Sequence, residues 1–300
     1  MFEFKKKETL IQNVAFMSLM GAINLVITLL MTFIPFIVAI TLIFLPLTSV
    51  LVTLYCKKKY YPLYMIATLG LCLLVTMYNI ADALFFVLPS LIAGFIFGLF
   101  VELKLPSIYL VLVPSLISLG FTYLSVPFIQ LIYGINFIDT IASALSLSTF
   151  PLLHVIAPSA VLLFCLIQSL FSYMVIKEEL KKFMYEVNEL DTNKFINIIV
   201  NVLLILLMVL CSFLYLPLAY IFLTLSLFIG IYMFVYLLTT KNKIFIALSL
   251  INIVITFFVF SICYEYVKPE YSLLLIGSFP LISTIYYIVN IRPHKIKYKR

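Results

Sequence analysis

Side chains able to do chemistry are few and scattered in this sequence. Asn79 and Asp82 stand three residues apart between two apolar runs, and Asp139 falls in the next polar stretch. A carboxylate in such a place has two readings. It belongs to a ligand or ion site near one face of a membrane, because ionisable groups in lipid are costly and tend to be functional. Alternatively it caps the helix that follows, since Asp is a favoured N-cap. His154 begins another apolar run, either as a proton-sensitive group or as an interfacial imidazole bonded to a carbonyl. Asn24 sits inside the first apolar run, where helix–helix hydrogen bonding and ligand contact are both open.

The motifs of common catalysts are missing from the sequence. It has no GxxxxGK[ST] loop, no HExxH and no Ser/His/Asp set that spacing singles out. The only histidines are His154 and His294, and the five cysteines are scattered singly in or beside apolar runs. Such cysteines read as small buried hydrophobes. The expectation is a protein that is not an enzyme, holds no metal and carries no cofactor.

The elements that position these residues are set by composition. Apolar residues make up 65% of the 300, and only 10% are charged, against about 25% in soluble domains. So few charges cannot cover a water-facing surface, so the chain reads as an all-α, polytopic membrane bundle whose first partner is the lipid bilayer. The net charge of +7 does not indicate nucleic acid, because the basic residues lie in short clusters between apolar runs, where they orient helices. Lys5-Lys6-Lys7 ahead of an apolar run resembles a signal peptide. That run continues past Phe33 without a small-residue cleavage site, so it reads as a retained first helix.

At about 20 residues per crossing, ten spans are predicted: 10–33, 34–56, 63–78, 84–101, 107–129, 152–176, 195–215, 218–239, 244–266 and 271–291. The prolines inside them need neighbouring helices or water to satisfy the carbonyls they free. An amphipathic interfacial helix is predicted at 136–149, and a polar linker helix at 177–194. The domains are therefore a six-span block (1–176), the linker (177–194) and a four-span block with a basic tail (195–300). Ten spans put 18 of the 19 Lys and Arg residues on one side, leaving Lys268 opposite. By the positive-inside rule that side is the cytoplasm of a bacterial cell, with both termini in it.

Small residues supply the remaining signal. Ala15, Ser18 and Ala22 recur along the first helix, and Gly94 and Gly98 along the fourth, in small-xxx-small spacing that permits close helix approach. The first block, with its helix Val14-Ala-Phe-Met-Ser-Leu-Met-Gly-Ala-Ile-Asn24, its Pro-bearing second helix and Leu88-Pro-Ser-Leu-Ile-Ala-Gly-Phe-Ile-Phe-Gly98, resembles the substrate-binding S components of energy-coupling factor transporters. The whole chain is similar to the YybS-like family of bacterial membrane proteins, itself considered related to S components. The resemblance implies small-molecule transport, with an outward cavity near Asn79, Asp82, Asn24 and His154. It also implies partners: a coupling-factor transmembrane subunit with its ATPases, meeting an AxxxA-type face of the first helix. Ser18-xxx-Ala22 stands at that place here, with serine for the first alanine. The alternative function is a non-catalytic membrane scaffold or assembly factor.

Overall fold

The first helix begins at a sequence-coded stop. Thr9 accepts a hydrogen bond from Gln12 N at 3.3 Å, and the Gln12 side chain accepts from Thr9 N. This capping box satisfies donors that the helix start leaves without partners, so α1 runs Leu10–Phe33. The computed structural model describes residues 6–34, 37–78, 80–134, 153–182, 194–239 and 243–291. Its elements are all helical. After α1 come α2 (Val38–Tyr55), a 3₁₀ turn (Lys58–Tyr60), α3 (Tyr61–Val75), α4 (Leu88–Glu102), α5 (Ser107–Tyr133) and α6 (Leu153–Lys182). The second half holds α7 (Lys194–Leu214), α8 (Leu216–Thr239), α9 (Lys243–Tyr266) and α10 (Ser278–Ile291), the last entered through Pro269–Ser272 and the 3₁₀ turn Leu273–Gly277.

Contacts divide the chain into two compact units, one of residues 1–141 with 161–191 and one of 142–160 with 192–300. The continuous helix α6 therefore contributes its first turns to the second unit. There Val155 and Ile156 pack against the cluster of Met208, Tyr220 and Leu223.

In the first unit α2 and α4 make the most extensive contact. Glycine makes it possible. A Cβ on Gly94 would lie 2.5 Å from the Pro46 carbonyl oxygen and 2.5 Å from Ser49 Cβ, and one on Gly98 would lie 2.7 Å from Thr53 Cβ. The Gly94-xxx-Gly98 spacing thus serves internal packing. Pro46 is accommodated by a neighbouring helix, as lipid demands. Pro46 lies inside α2 and has no N–H for the carbonyl of Leu42. Gln168 of α6 donates to that oxygen at 3.2 Å, and Ser172 donates to Ile43 O at 3.1 Å.

The outer surface is unlike that of a water-soluble bundle: many large apolar side chains are exposed, and polar ones join the apolar core inside. Asn13, Asn24, Thr28, Thr48, Thr68 and Asn201 are buried, whereas Ile11, Val26, Leu206 and Phe213 face outward. Exposed apolar surface on this scale is tolerated in lipid and not in water. Among the described residues, six helical stretches are long and apolar enough to cross a membrane, at Leu10–Phe33, Ala83–Glu102, Ser107–Ile132, Val155–Lys182, Phe195–Leu214 and Leu216–Leu237. Shorter apolar helices lie at Thr41–Tyr55, Leu250–Cys263 and Leu273–Val289. The predicted third span, 63–78, is instead a 15-residue helix, α3, about 22 Å long at 1.5 Å per residue. It stops at Thr76, whose hydroxyl turns back to the Cys72 carbonyl. Of the predicted linker, residues 177–182 continue α6 and Lys194 opens α7; residues 183–193, the 136–149 segment and the basic tail lie outside the described residues.

Two features at the ends of α4 were not foreseen. Helical backbone begins at Ile80 and passes through a π-helical stretch, Ala83–Val87, into α4. The Ser125 hydroxyl lies 3.1 Å from the Leu84 carbonyl in that stretch. At the other end Lys104 takes φ 54, its N–H bonds Val101 O at 3.1 Å, and Leu105 N–H bonds Phe100 O at 3.0 Å. This is a Schellman cap with lysine where glycine is usual.

Candidate functional site

The polar interior of the first unit is built on Asn24. Its side chain is fully buried midway along α1. Asn24 Nδ2 donates to the Tyr64 hydroxyl at 3.1 Å, the Tyr64 hydroxyl donates to Thr48 Oγ1 at 3.4 Å, and Thr48 Oγ1 donates to Asn24 Oδ1 at 2.8 Å. The three bonds close a ring that ties α1 to α2 and α3. One turn on, Thr28 donates to Asn24 O at 2.8 Å and lies 3.4 Å from Cys72 Sγ. Away from water, such uncharged donors and acceptors are stable when each finds a partner.

Above this ring α1 and α3 leave an open groove of about 380 Å³. Gly21, Tyr64 and Thr68 are buried at its base, and the exposed residues Ser18 and Ala22 of α1 and Ala67 of α3 line it. A Cβ on Gly21 would stand 3.1 Å from Thr68 Oγ1, so the contact between α1 and α3 below the groove is close there. Two of the three residues predicted for partner contact, Ser18 and Ala22, thus line one concave surface. Ala15 is exposed on the same helix.

Of the other predicted site residues, Asn24 is not among those that line this groove. Asn79 and the side chains of Asp82 and His154 lie outside the described residues, so the outward cavity expected around them has no described geometry. The backbone does correct the capping alternative for Asp82. The described backbone is helical over Ile80–Asp82 and the N-cap of α4 is Val87, so Asp82 lies in a first helical turn and is not the N-cap of α4. Sequence reasoning missed Thr48 and Tyr64 as partners of Asn24. Their hydroxyls fall in apolar runs without a spacing rule that links them to α1. A Thr four residues after Asn24, able to bond its carbonyl, was the one local hint.

A similar clasp organises the second unit. Asn201 of α7 donates to Thr284 Oγ1 at 2.7 Å and accepts from Ser226 at 2.8 Å, joining α7, α8 and α10. Among the described residues no group of three His, Cys, Asp or Glu side chains is placed to hold a metal ion. Comparison with known protein families, curated proteins and solved structures gives no match. The geometry itself is that of a multi-pass membrane protein with polar clasps inside and apolar side chains outside.

Proposed function

We propose that this chain is a non-catalytic subunit of the bacterial cytoplasmic membrane that takes part in small-molecule transport. In this reading its ten helices cross as six plus four with both termini cytoplasmic, and the first unit binds substrate as S components do. The groove between α1 and α3 receives a transmembrane helix of a coupling subunit. The observation that carries the reading is the exposure of Ser18 and Ala22 in that groove. Small side chains on an open helix face permit close approach of a second helix in lipid.

One observation favours the alternative, a membrane scaffold or assembly factor. The amide of Asn24 is engaged at both ends by Tyr64 and Thr48, leaving that candidate for ligand contact occupied by the bundle. Two measurements on the purified full-length protein separate the readings. Thermal unfolding across a panel of vitamins and metabolites tests for substrate, and co-purification with Ser18→Leu or Ala22→Leu tests the groove. Transport predicts a ligand-dependent rise in midpoint and loss of a co-purifying membrane subunit. Partner loss without any ligand shift identifies a scaffold. If neither effect is found, both readings fail.

A further inference from the structure

We propose that the lysine-rich end of the first unit is a binding surface for the phosphate of an anionic phospholipid. Four segments converge there. Lys6 Nζ lies 2.6 Å from Glu102 Oε1, and Lys58 pairs with the other oxygen of the same carboxylate. Lys7 N–H donates to Tyr55 O at 2.8 Å, and Lys57 N–H donates to Asn13 Oδ1 at 2.7 Å. The start of α1, the turn after α2 and the end of α4 are therefore stitched together by backbone and side-chain bonds. Ile176 and Leu180 of α6 pack in one cluster with Tyr55 and Val101, which brings Lys177, Lys181 and Lys182 to the same end.

Charge is in excess at this surface. Glu178 and Glu179 pair with Lys181 and Lys182, so the tip of α6 is close to neutral. Among the described residues, the start of α1, the α2–α3 turn and the end of α4 carry Lys6, Lys7, Lys57, Lys58, Lys59 and Lys104 against Glu8 and Glu102. Glu102 neutralises one charge while holding two lysines. Lys57 and Lys59 are exposed on the turn, with the Lys59 ammonium 4.9 Å from the centre of the Tyr60 ring.

The neighbouring surface identifies the anion as a lipid headgroup. Leu10 and Ile11, at the first turn of α1, are 56% and 81% exposed, and Leu63 on the first turn of α3 is 58% exposed. These side chains place the lysines where the helices enter the bilayer, at the level of the lipid headgroups. A phospholipid matches both, with its phosphate at Lys57 and Lys59 and its acyl chains along Leu10, Ile11 and Leu63. Clustered lysines directly beside membrane helices attract anionic lipid in this way.

The test uses the full-length protein in nanodiscs of phosphatidylcholine, with spin-labelled phosphatidylglycerol or phosphatidylcholine as probe. Wild type is expected to immobilise the phosphatidylglycerol probe in preference to the phosphatidylcholine probe. Lys57→Gln/Lys59→Gln should weaken that preference about 30-fold, at roughly fivefold per lysine near the bilayer surface. Lys268→Gln, an exposed lysine of the second unit, should leave it unchanged. The thermal midpoint in phosphatidylcholine alone checks that the double variant is folded. Should that variant misfold, salt titration of the wild type replaces it: preference is expected to fall as ionic strength rises from about 0.05 to 0.5 M. Equal immobilisation of both probes, or preference insensitive to the lysines or to salt, overturns the proposal. Displacement of the labelled lipid by millimolar inorganic phosphate as readily as by unlabelled phosphatidylglycerol also overturns it, identifying a general anion site.

Discussion

Gln168 of α6 donates its Nε2 to the carbonyl oxygen of Leu42 at 3.2 Å, and Leu42 stands four residues before Pro46, which offers it no N–H. A polar side chain on one helix thus repairs the hydrogen bond that proline removes from another. Gln168→Leu is expected to lower unfolding stability in detergent by about 1–3 kcal/mol, the range for leaving a buried acceptor without a partner. In a Pro46→Ala background, where the helix can supply its own N–H, the same change should cost at least about 1 kcal/mol less. Equal penalties in both backgrounds would mean that Gln168 stabilises by packing alone.

Close approach of α2 and α4 gives a second test. Gly94→Ala forces a Cβ against the Pro46 carbonyl and Ser49, and about 1–3 kcal/mol of destabilisation is expected from that overpacking. Gly120 in α5 has nothing within 4 Å of an added Cβ, so Gly120→Ala should be neutral or stabilise by up to about 1 kcal/mol. Thermal midpoints of the two variants must move differently for the packing argument to stand.

The Schellman cap yields a prediction of the opposite sign. Lys104 occupies the left-handed region at φ 54, which disfavours a side chain bearing Cβ. Lys104→Gly should raise stability by about 0.5–1 kcal/mol, read as a higher midpoint. A loss of stability would show that the lysine side chain contributes more there than the backbone strain removes.

For the ring on Asn24, Asn24→Leu is expected to destabilise by about 1–3 kcal/mol, and the effect should shrink when combined with Tyr64→Phe because the two share a hydrogen bond. Additive losses would argue against a closed ring.

The sequence made some of this legible and hid the rest for physical reasons. Apolar length was enough to delimit α1, because that signal is local, whereas the Thr9/Gln12 capping box that starts the helix was not read from the sequence. The target of Gln168, Leu42 O, depends on packing that no spacing reveals. The sixth span was ended at 176, with a separate linker helix after it, because charge begins there; the two are one continuous helix to Lys182, where Glu178 and Glu179 pair with Lys181 and Lys182 and favour continuation. The third span was overextended because hydropathy does not register the turn at Thr76. Asp82 was weighed as a cap because Asp marks helix starts, yet the helix had already begun at Ile80. The groove was half visible: Ser18 and Ala22 could be picked out on α1, whereas Ala67 and Thr68 on α3 acquire meaning only when the two helices are side by side.

The arrangement of the first unit across the bilayer is tested most directly by labelling single cysteines in intact cells with a membrane-impermeant maleimide, in a background lacking the five native cysteines. Cysteines at 59, 104 and 181 should be protected until the membrane is permeabilised, and a cysteine at 268 should react at once. Labelling of 181 in intact cells together with protection of 59 and 104 would contradict the account, because the lysine-bearing ends of α2, α4 and α6 would then lie on opposite faces.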